Sequence, residues 1–331
     1  MKRFFDMKRK ILDKLKDAAG KFVSGENIAN ELNVTRTSIW KNINSLRKLG
    51  YDIESHIKLG YKLNKIADVL LPAAVQSGLN SKVIGVKDKL IHKFSVDSTN
   101  NLARKAAYDG AADGTVIVAE EQTGGKGRLK RKFFSPPGKG IYFSLILRPK
   151  CLPKDAPKFT LMAAVAVANA FKRFKLPAQI KWPNDIMFDG RKLVGILTEM
   201  SAQIEQVNYI VVGIGINCNV ARDEFPEDIK DVAASLSEIN GENISRVDLF
   251  RAILEELDKF YGVVNESGFD EILKRWREFN ITLGKNIKVI SAESGDTFTG
   301  VAVDIDEDGA LIVQTDNGLT TVYAGDVSIR N

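Results

Sequence analysis

The 331 residues are too many for one ordinary core, and 44% hydrophobic with 27% charged residues is the balance of a folded globular chain. Its most apolar stretch, Phe159 to Phe171, is shorter than the roughly 20 residues that cross a bilayer, and no signal peptide is evident. Two histidines and two unclustered cysteines, Cys151 and Cys218, exclude a structural zinc site and a thiol–imidazole pair, so a reduced, cytoplasmic protein whose chemistry rests on Lys, Arg, Asp and backbone amides is expected.

The charge is uneven. Residues 1–65 hold 15 Lys/Arg against 7 Asp/Glu, whereas the rest of the chain is slightly acidic, which points to a polyanionic partner for that first segment. Ile11, Leu12, Leu15, Ala18 and Ala19 predict a helix over 7–19. Ser24 predicts the cap of a second helix, carrying Ile28, Ala29 and Leu32 inward. Thr35 predicts the cap of a third, with Ile39, Ile43, Leu46 and Leu49 as its buried stripe. Two alternating stretches, 51–57 and 60–64, predict a small hairpin, and the whole is the pattern of a winged helix-turn-helix over residues 1–65. The third helix then presents Thr35, Arg36, Thr37, Ser38, Trp40, Lys41, Asn44 and Arg47 as DNA-binding candidates. A basic helix alone is commonly a solvated face; here charge excess, tight turn and wing coincide.

A linker helix is expected from Ala67 to Leu79, leading into a central region, residues 66–283. Strands are predicted over 90–96, 115–120, 141–147, 179–182, 193–200 and 209–216, and helices over 100–108, 157–174, 246–265 and 269–279. Strands and helices come in runs rather than strict alternation, so the fold class is α+β with a mixed central sheet. In the tail, residues 284–331, the dipeptides Gly295-Asp296, Asp308-Gly309 and Asn317-Gly318 predict turns of a small β-barrel.

The most informative segment is 121–138, where Gly124, Gly125 and Gly127 lie among Lys126, Arg128, Lys130, Arg131 and Lys132. Glycines let backbone approach a ligand, and the cations attract phosphate or carboxylate. The loop lacks the Lys-Ser/Thr of a phosphate-binding P-loop, and alone it is as compatible with a solvated basic loop. Lys181-Trp182-Pro183-Asn184-Asp185 adds a rigid turn presenting Asn and Asp, and Gly190-Arg191-Lys192-Leu193-Val194-Gly195-Ile196 places Lys192 at a strand mouth. Asp97-Ser98-Thr99-Asn100 has the pattern of a helix N-cap.

These segments, with Glu121-Gln122-Thr123, Phe134-Ser135-Pro136 and Gly213-Ile214-Gly215-Ile216-Asn217, come in the order and approximate spacing of the biotin–protein ligase family. With the N-terminal module, the chain resembles its repressor-type, bifunctional members along nearly its whole length. The resemblance implies a class II synthetase-like catalytic domain, an SH3-like C-terminal barrel, and biotin, ATP and Mg²⁺ as ligands, with no metal site beyond the ion that accompanies ATP. It implies Ser98, Thr99, Asn100, Gln122, Lys126, Gly127, Arg128, Lys192, Gly213 and Gly215 around biotin. Around ATP or the adenylate it implies Lys126, Arg128, Arg131, Phe133, Lys181, Asn184, Asp185, Lys192 and Asn217, with Lys192, Arg128, Lys126 and Asp185 as the catalytic set. Two positions depart from the family pattern: Lys126 replaces an arginine of the better-known loop, and Phe133 stands where relatives carry tryptophan.

The implied activity is formation of biotinyl-5′-AMP and transfer of biotin to a lysine of a biotin carboxyl carrier domain. Implied partners are that carrier, operator DNA and a second copy of the chain when adenylate is bound, with no membrane. The competing readings are a lipoate-type ligase, which shares the fold, and a biotin-sensing repressor without turnover.

Overall fold

The computed structural model describes residues 2–48, 51–65, 68–291 and 297–329. They fall into two compact units, divided between Val69 and Leu70.

In the first unit, α1 (Lys2–Asp17), α2 (Gly25–Glu31) and α3 (Arg36–Lys48) precede a hairpin of β1 (Asp52–His56) and β2 (Gly60–Lys65). Ser24 caps α2 by accepting the Glu26 amide, and Thr35 Oγ1 accepts the Ser38 amide at the head of α3 (3.2 Å). Ile11, Leu15, Ile28, Ile39, Ile43 and Leu46 are buried between the helices. Ala18 and Ala19 do not continue the stripe of α1, because Ala19 and Gly20 adopt positive φ and reverse the chain. Leu49, the expected last member of the α3 stripe, lies outside the described residues. Gly60, at φ +96°, is fixed by space as well as by turn: a Cβ there would stand 2.1 Å from the Val23 carbonyl.

The expected linker helix is only α4 (Pro72–Gln76). Proline starts it and Gly78, at φ +90°, prevents its continuation; Ala67 lies outside the described residues.

The second unit is built on a seven-stranded sheet. Its members in chain order are β3 (Leu90–Val96), β4 (Thr115–Gln122), β5 (Ile141–Leu147), β6 (Gln179–Lys181), β7 (Asp185–Phe188), β8 (Arg191–Ala202) and β9 (Val207–Ile216). The spatial order is β3-β4-β5-β9-β8-β7-β6, with β3 and β4 parallel and the other pairs antiparallel. β7 is not among the strands expected from sequence. Four residues between Pro183-Asn184 and the positive-φ pair Asp189-Gly190 are too few to show a period. Alternation assigns the two faces. Val116, Val118, Phe143, Leu145, Ile210 and Val212 join the main core with α6 (Lys158–Arg173), α8 (Arg246–Ser267) and α9 (Asp270–Phe279). Ile117, Ile146 and Val211 face α5 (Thr99–Tyr108) on the other side. A short helix, α7 (Leu236–Asn240), precedes α8.

The C-terminal strands β10 (Asn286–Ser291), β11 (Thr297–Ile305), β12 (Leu311–Thr315), β13 (Gly318–Val322) and β14 (Gly325–Ile329) form an antiparallel sheet, ordered β13-β12-β11-β10-β14. Gly309 and Gly318 occupy its turns at positive φ, while Gly295-Asp296 lies outside the described residues. Ile287, Val289, Leu311 and Val313 belong to the same buried cluster as Trp182 and Trp276. Trp182 Nε1 also donates to the Gly309 carbonyl (3.1 Å), tying this sheet to the turn before β7.

One buried charge cluster crosses the core. Glu120 on β4 accepts from the Leu70 amide (2.8 Å) and Arg246 Nη1 (2.9 Å), and lies 3.0 Å from His92 Nε2.

Candidate active site and nucleic-acid interface

The sheet face beside α5 carries a cavity of about 370 Å³. Every residue named above for biotin, adenylate or catalysis lines it, from Ser98 to Asn217. Its wall also includes residues that sequence reading did not single out: Met187, Leu197, Ile229, Val232, Ala233, and Asp326 of the C-terminal sheet. Contacts formed across a hundred or more positions leave no local signal.

One end of the cavity is polar and buried. Ser98, Thr99 and Asn100 sit at the start of α5, where the helix leaves its first amides toward the pocket. Gln122 Oε1 accepts from the Thr99 amide (2.9 Å) and hydroxyl (3.1 Å), and Gln122 Nε2 donates to Ser135 Oγ (3.0 Å). The buried Ser144 hydroxyl lies 2.8 Å from Thr99 Oγ1 and 2.6 Å from Asn100 Oδ1, while Asn100 Nδ2 donates to Glu199 (2.8 Å). Asn100 is thus held by the protein on both amide atoms and shapes the pocket. Among the described residues Ser98 Oγ has no partner although it is buried, and a buried hydroxyl without one is costly unless a ligand supplies it.

The floor is β9 beside β8, where Gly195 and Gly215 face each other across the ladder. The Phe133 ring lies on this pair: a Cβ on Gly215 would come within 2.6 Å of it. The expected role of these glycines was to leave room for a ligand; the room beside Gly213 is taken by Asn100 and that beside Gly215 by Phe133.

The other end is cationic. Lys192 Nζ stands 2.6 Å from Asp185 Oδ1. Arg128 donates to Asn184 Oδ1 (3.2 Å), and Asn184 Nδ2 donates back to the Ile196 carbonyl (2.8 Å). Burial lowers the pKa of Arg128, with Asp326 and Asp185 opposing it and Arg131 adding to it. Burial likewise pushes Lys181 below its ordinary value, against the attraction of Asp185. An incoming phosphate favours the charged form of both.

The glycine loop is folded on itself. Gly127 N donates to Arg131 O (2.8 Å), Phe133 N to Gly125 O (2.9 Å), and Gly124 N to Asp97 O (2.8 Å). Lys126 Nζ donates to Asn101 Oδ1 (2.6 Å), so its ammonium is held by α5 and not by Asp185. Arg131 pairs with Asp326 of β14 (2.6 Å), which brings the C-terminal sheet into the pocket rim. Asn217 is buried and donates to the Lys192 carbonyl (3.3 Å), bracing the strand mouth.

In the first unit, Thr35, Arg36, Thr37, Trp40 and Lys41 are exposed at the N-terminal end of α3, and Ser38 and Asn44 are half-buried. Arg47 is the exception to the exposed face expected from sequence. Its guanidinium donates to the Ile53 carbonyl (2.8 and 2.6 Å), Ser55 Oγ (2.5 Å) and Asn44 Oδ1 (3.2 Å), and so fastens α3 to the wing.

Fold and site together define a protein ligase of the biotin/lipoate type carrying a helix-turn-helix module. Residues 93–217 match the biotin/lipoate A/B protein ligase family, residues 282–330 the biotin protein ligase C-terminal domain, and residues 8–62 a helix-turn-helix domain. The chain is 37% identical to the bifunctional ligase/repressor BirA of Bacillus spizizenii, covering 98% of each chain, and 36% identical to that of Bacillus subtilis over the same shares. Among solved structures it is similar to biotin protein ligase from Aquifex aeolicus in complex with biotin and ATP. That likeness has a TM-score of 0.63 and 31% identity, over 74% of this chain and 99% of the other. The chain belongs to the bifunctional biotin ligase/repressor family. No helix among the described residues is long and apolar enough to cross a membrane.

Proposed function

We propose that the cavity binds biotin with its ring system toward Ser98, Thr99 and Gln122 and its carboxylate toward Lys192, and that ATP lies over the cationic end. One observation carries this assignment: a single cavity joins a buried polar end, with an unpartnered hydroxyl, to a cluster of Lys181, Lys192, Arg128 and Arg131. A bicyclic ureide with a carboxylate tail needs the first end, and a polyphosphate needs the second.

A carboxylate oxygen of biotin attacks the α-phosphorus of ATP, and the bond to the bridging oxygen breaks, giving biotinyl-5′-AMP and pyrophosphate. The carboxylate is already ionised, so no histidine base is needed. Lys192, oriented by Asp185, and Arg128, held on Asn184, stabilise charge on the α-phosphoryl oxygens. The pairing of Lys126 with Asn101 makes it a clasp for the loop more than a phosphate ligand. Phe133, Lys181, Asn184 and Asn217 frame the adenylate, and backbone at Gly127 lets it approach. In the second half-reaction the amine of a carrier-domain lysine attacks the acyl carbon, AMP leaves, and the amine loses a proton. Asp185 is the carboxylate at the cationic end that would help hold a Mg²⁺ carried mainly by the ATP phosphates. That ion would neutralise polyphosphate charge.

Biotin-dependent exchange of pyrophosphate into ATP tests the first step; its absence in folded protein that binds biotin would overturn the assignment. Retention of the intermediate depends on the loop. Asp326→Asn, which frees Arg131 from a partly exposed pair, is expected to speed adenylate dissociation about two- to fivefold in a stopped-flow chase. Unchanged dissociation would remove Asp326 from the site.

The exposed N-terminal face of α3 docks in the major groove of operator DNA, with Arg36, Thr37 and Lys41 toward phosphates and base edges. Adenylate-dependent pairing of two chains on a two-fold operator belongs to the same proposal. Sedimentation of the protein with biotin alone and with biotin plus ATP tests it, and identical mass in both would exclude coupling.

A further inference from the structure

We infer that Trp40 reads thymine, by packing its indole against the C5-methyl group in the major groove, and that this contact gives the recognition helix an A·T preference at one position per half-site. The inference rests on the operator-binding proposal above. On α3, Ile39, Ile43 and Leu46 are fully buried, so the opposite face is fixed. Trp40 stands about a quarter turn from that stripe, 55% exposed, one turn beyond Arg36 and Thr37 and one turn before Asn44. A large apolar ring held in water amid basic neighbours gains by being covered, and the net positive charge of this segment selects a polyanion as the cover.

The polar readers on the same face are few. Adenine is ordinarily read by a bidentate Asn or Gln. Asn42 is buried, with Nδ2 donating to the Ser38 carbonyl (2.8 Å), and Asn44 has its Oδ1 engaged by Arg47. Arg47 itself is spent on the wing. Arg36, Thr37 and Lys41 remain, and two of these are suited to guanine and phosphate. Asn44 could read adenine only by sharing its Oδ1 with Arg47, whereas adenine's complement, thymine, presents a methyl group to an exposed indole.

The test uses the full-length protein with biotin and ATP present. A duplex is first selected from a randomised library, then each thymine is replaced singly by deoxyuridine, which removes the methyl and leaves the pairing edge intact. One thymine per half-site is expected to cost wild type about fourfold in affinity, the worth of burying one methyl group. Trp40→Ala should show no uracil penalty at that position, while Trp40→Phe keeps part of it. Non-specific binding at low salt should be alike in all three, since it rests on phosphate contacts. A wild type indifferent to every uracil, or an alanine variant with the same penalty, overturns the role of Trp40 and leaves operator binding standing. A library that yields no consensus overturns both.

Discussion

Lys192→Ala is expected to lower biotin-dependent pyrophosphate exchange by about 10²- to 10³-fold, the usual loss when one fixed donor to a developing oxyanion is removed. Lys192 is poised for that task by position. It lies at the open end of β8, its carbonyl and amide are bonded to Asn217 and Val232, and its ammonium is aimed by Asp185. The strand mouth is rigid, so little reorganisation is needed as charge builds on the α-phosphate. Biotin binding, followed separately by calorimetry, should change far less, because the ring-binding end at Ser98 and Gln122 is untouched. Asp185→Asn should fall between the two enzymes, since the amine is retained but no longer oriented. Exchange in the alanine variant within threefold of wild type would move the phosphate-stabilising role to Arg128.

Glu120→Gln is expected to destabilise the second unit by about 1–3 kcal/mol, because it neutralises a buried carboxylate that accepts from Arg246 Nη1 and the Leu70 amide and lies against His92. Trp182 and Trp276 are buried in that unit and Trp40 is exposed in the first, so intrinsic fluorescence in urea reports mainly on the second. Burial alone would raise the pKa of Glu120, but the His92 ring, the Arg246 guanidinium and the Leu70 amide outweigh it and hold the carboxyl below its ordinary range. A carboxyl with a lower pKa folded than unfolded stabilises the fold fully above the unfolded value, near 4.3, and loses that contribution as pH falls through the folded value. Wild type should therefore lose stability steeply below about pH 5, and the Gln variant, already weakened, should show a flatter acid limb. An unchanged midpoint at neutral pH would mean that the charge of Glu120 adds nothing to the stability of the unit.

Much of this was legible in the order of residues, for identifiable reasons. The capped helices, the wing and most sheet strands follow from period and cap chemistry, which act within a few residues. The pocket residues are named through the family resemblance of their motifs; of these, the glycines and cations clustered at strand ends are the features legible locally. Arg47 was misplaced on the exposed face because helical phase puts it there, while its bonds to Ile53 and Ser55 depend on a wing folded beside α3. Asp326, Ile229, Val232 and Ala233 are invisible in the sequence because only tertiary packing brings them to the rim. The room expected beside Gly213 and Gly215 was misassigned for a related reason: sequence shows a missing side chain, not the neighbour that occupies the space.

The alternation along β9 has an evolutionary corollary. Ile210, Val212, Ile214 and Ile216 enter the main core, while Gly213 and Gly215 form the pocket floor. Deleting or inserting one residue inside that strand would exchange the two sets, driving isoleucines into the ligand space and leaving hollows beneath the sheet. A change of length is tolerated best at the connection, residues 203–206, and beside the register shift at Ser201-Ala202, where it can be absorbed without shifting the phase over the pocket.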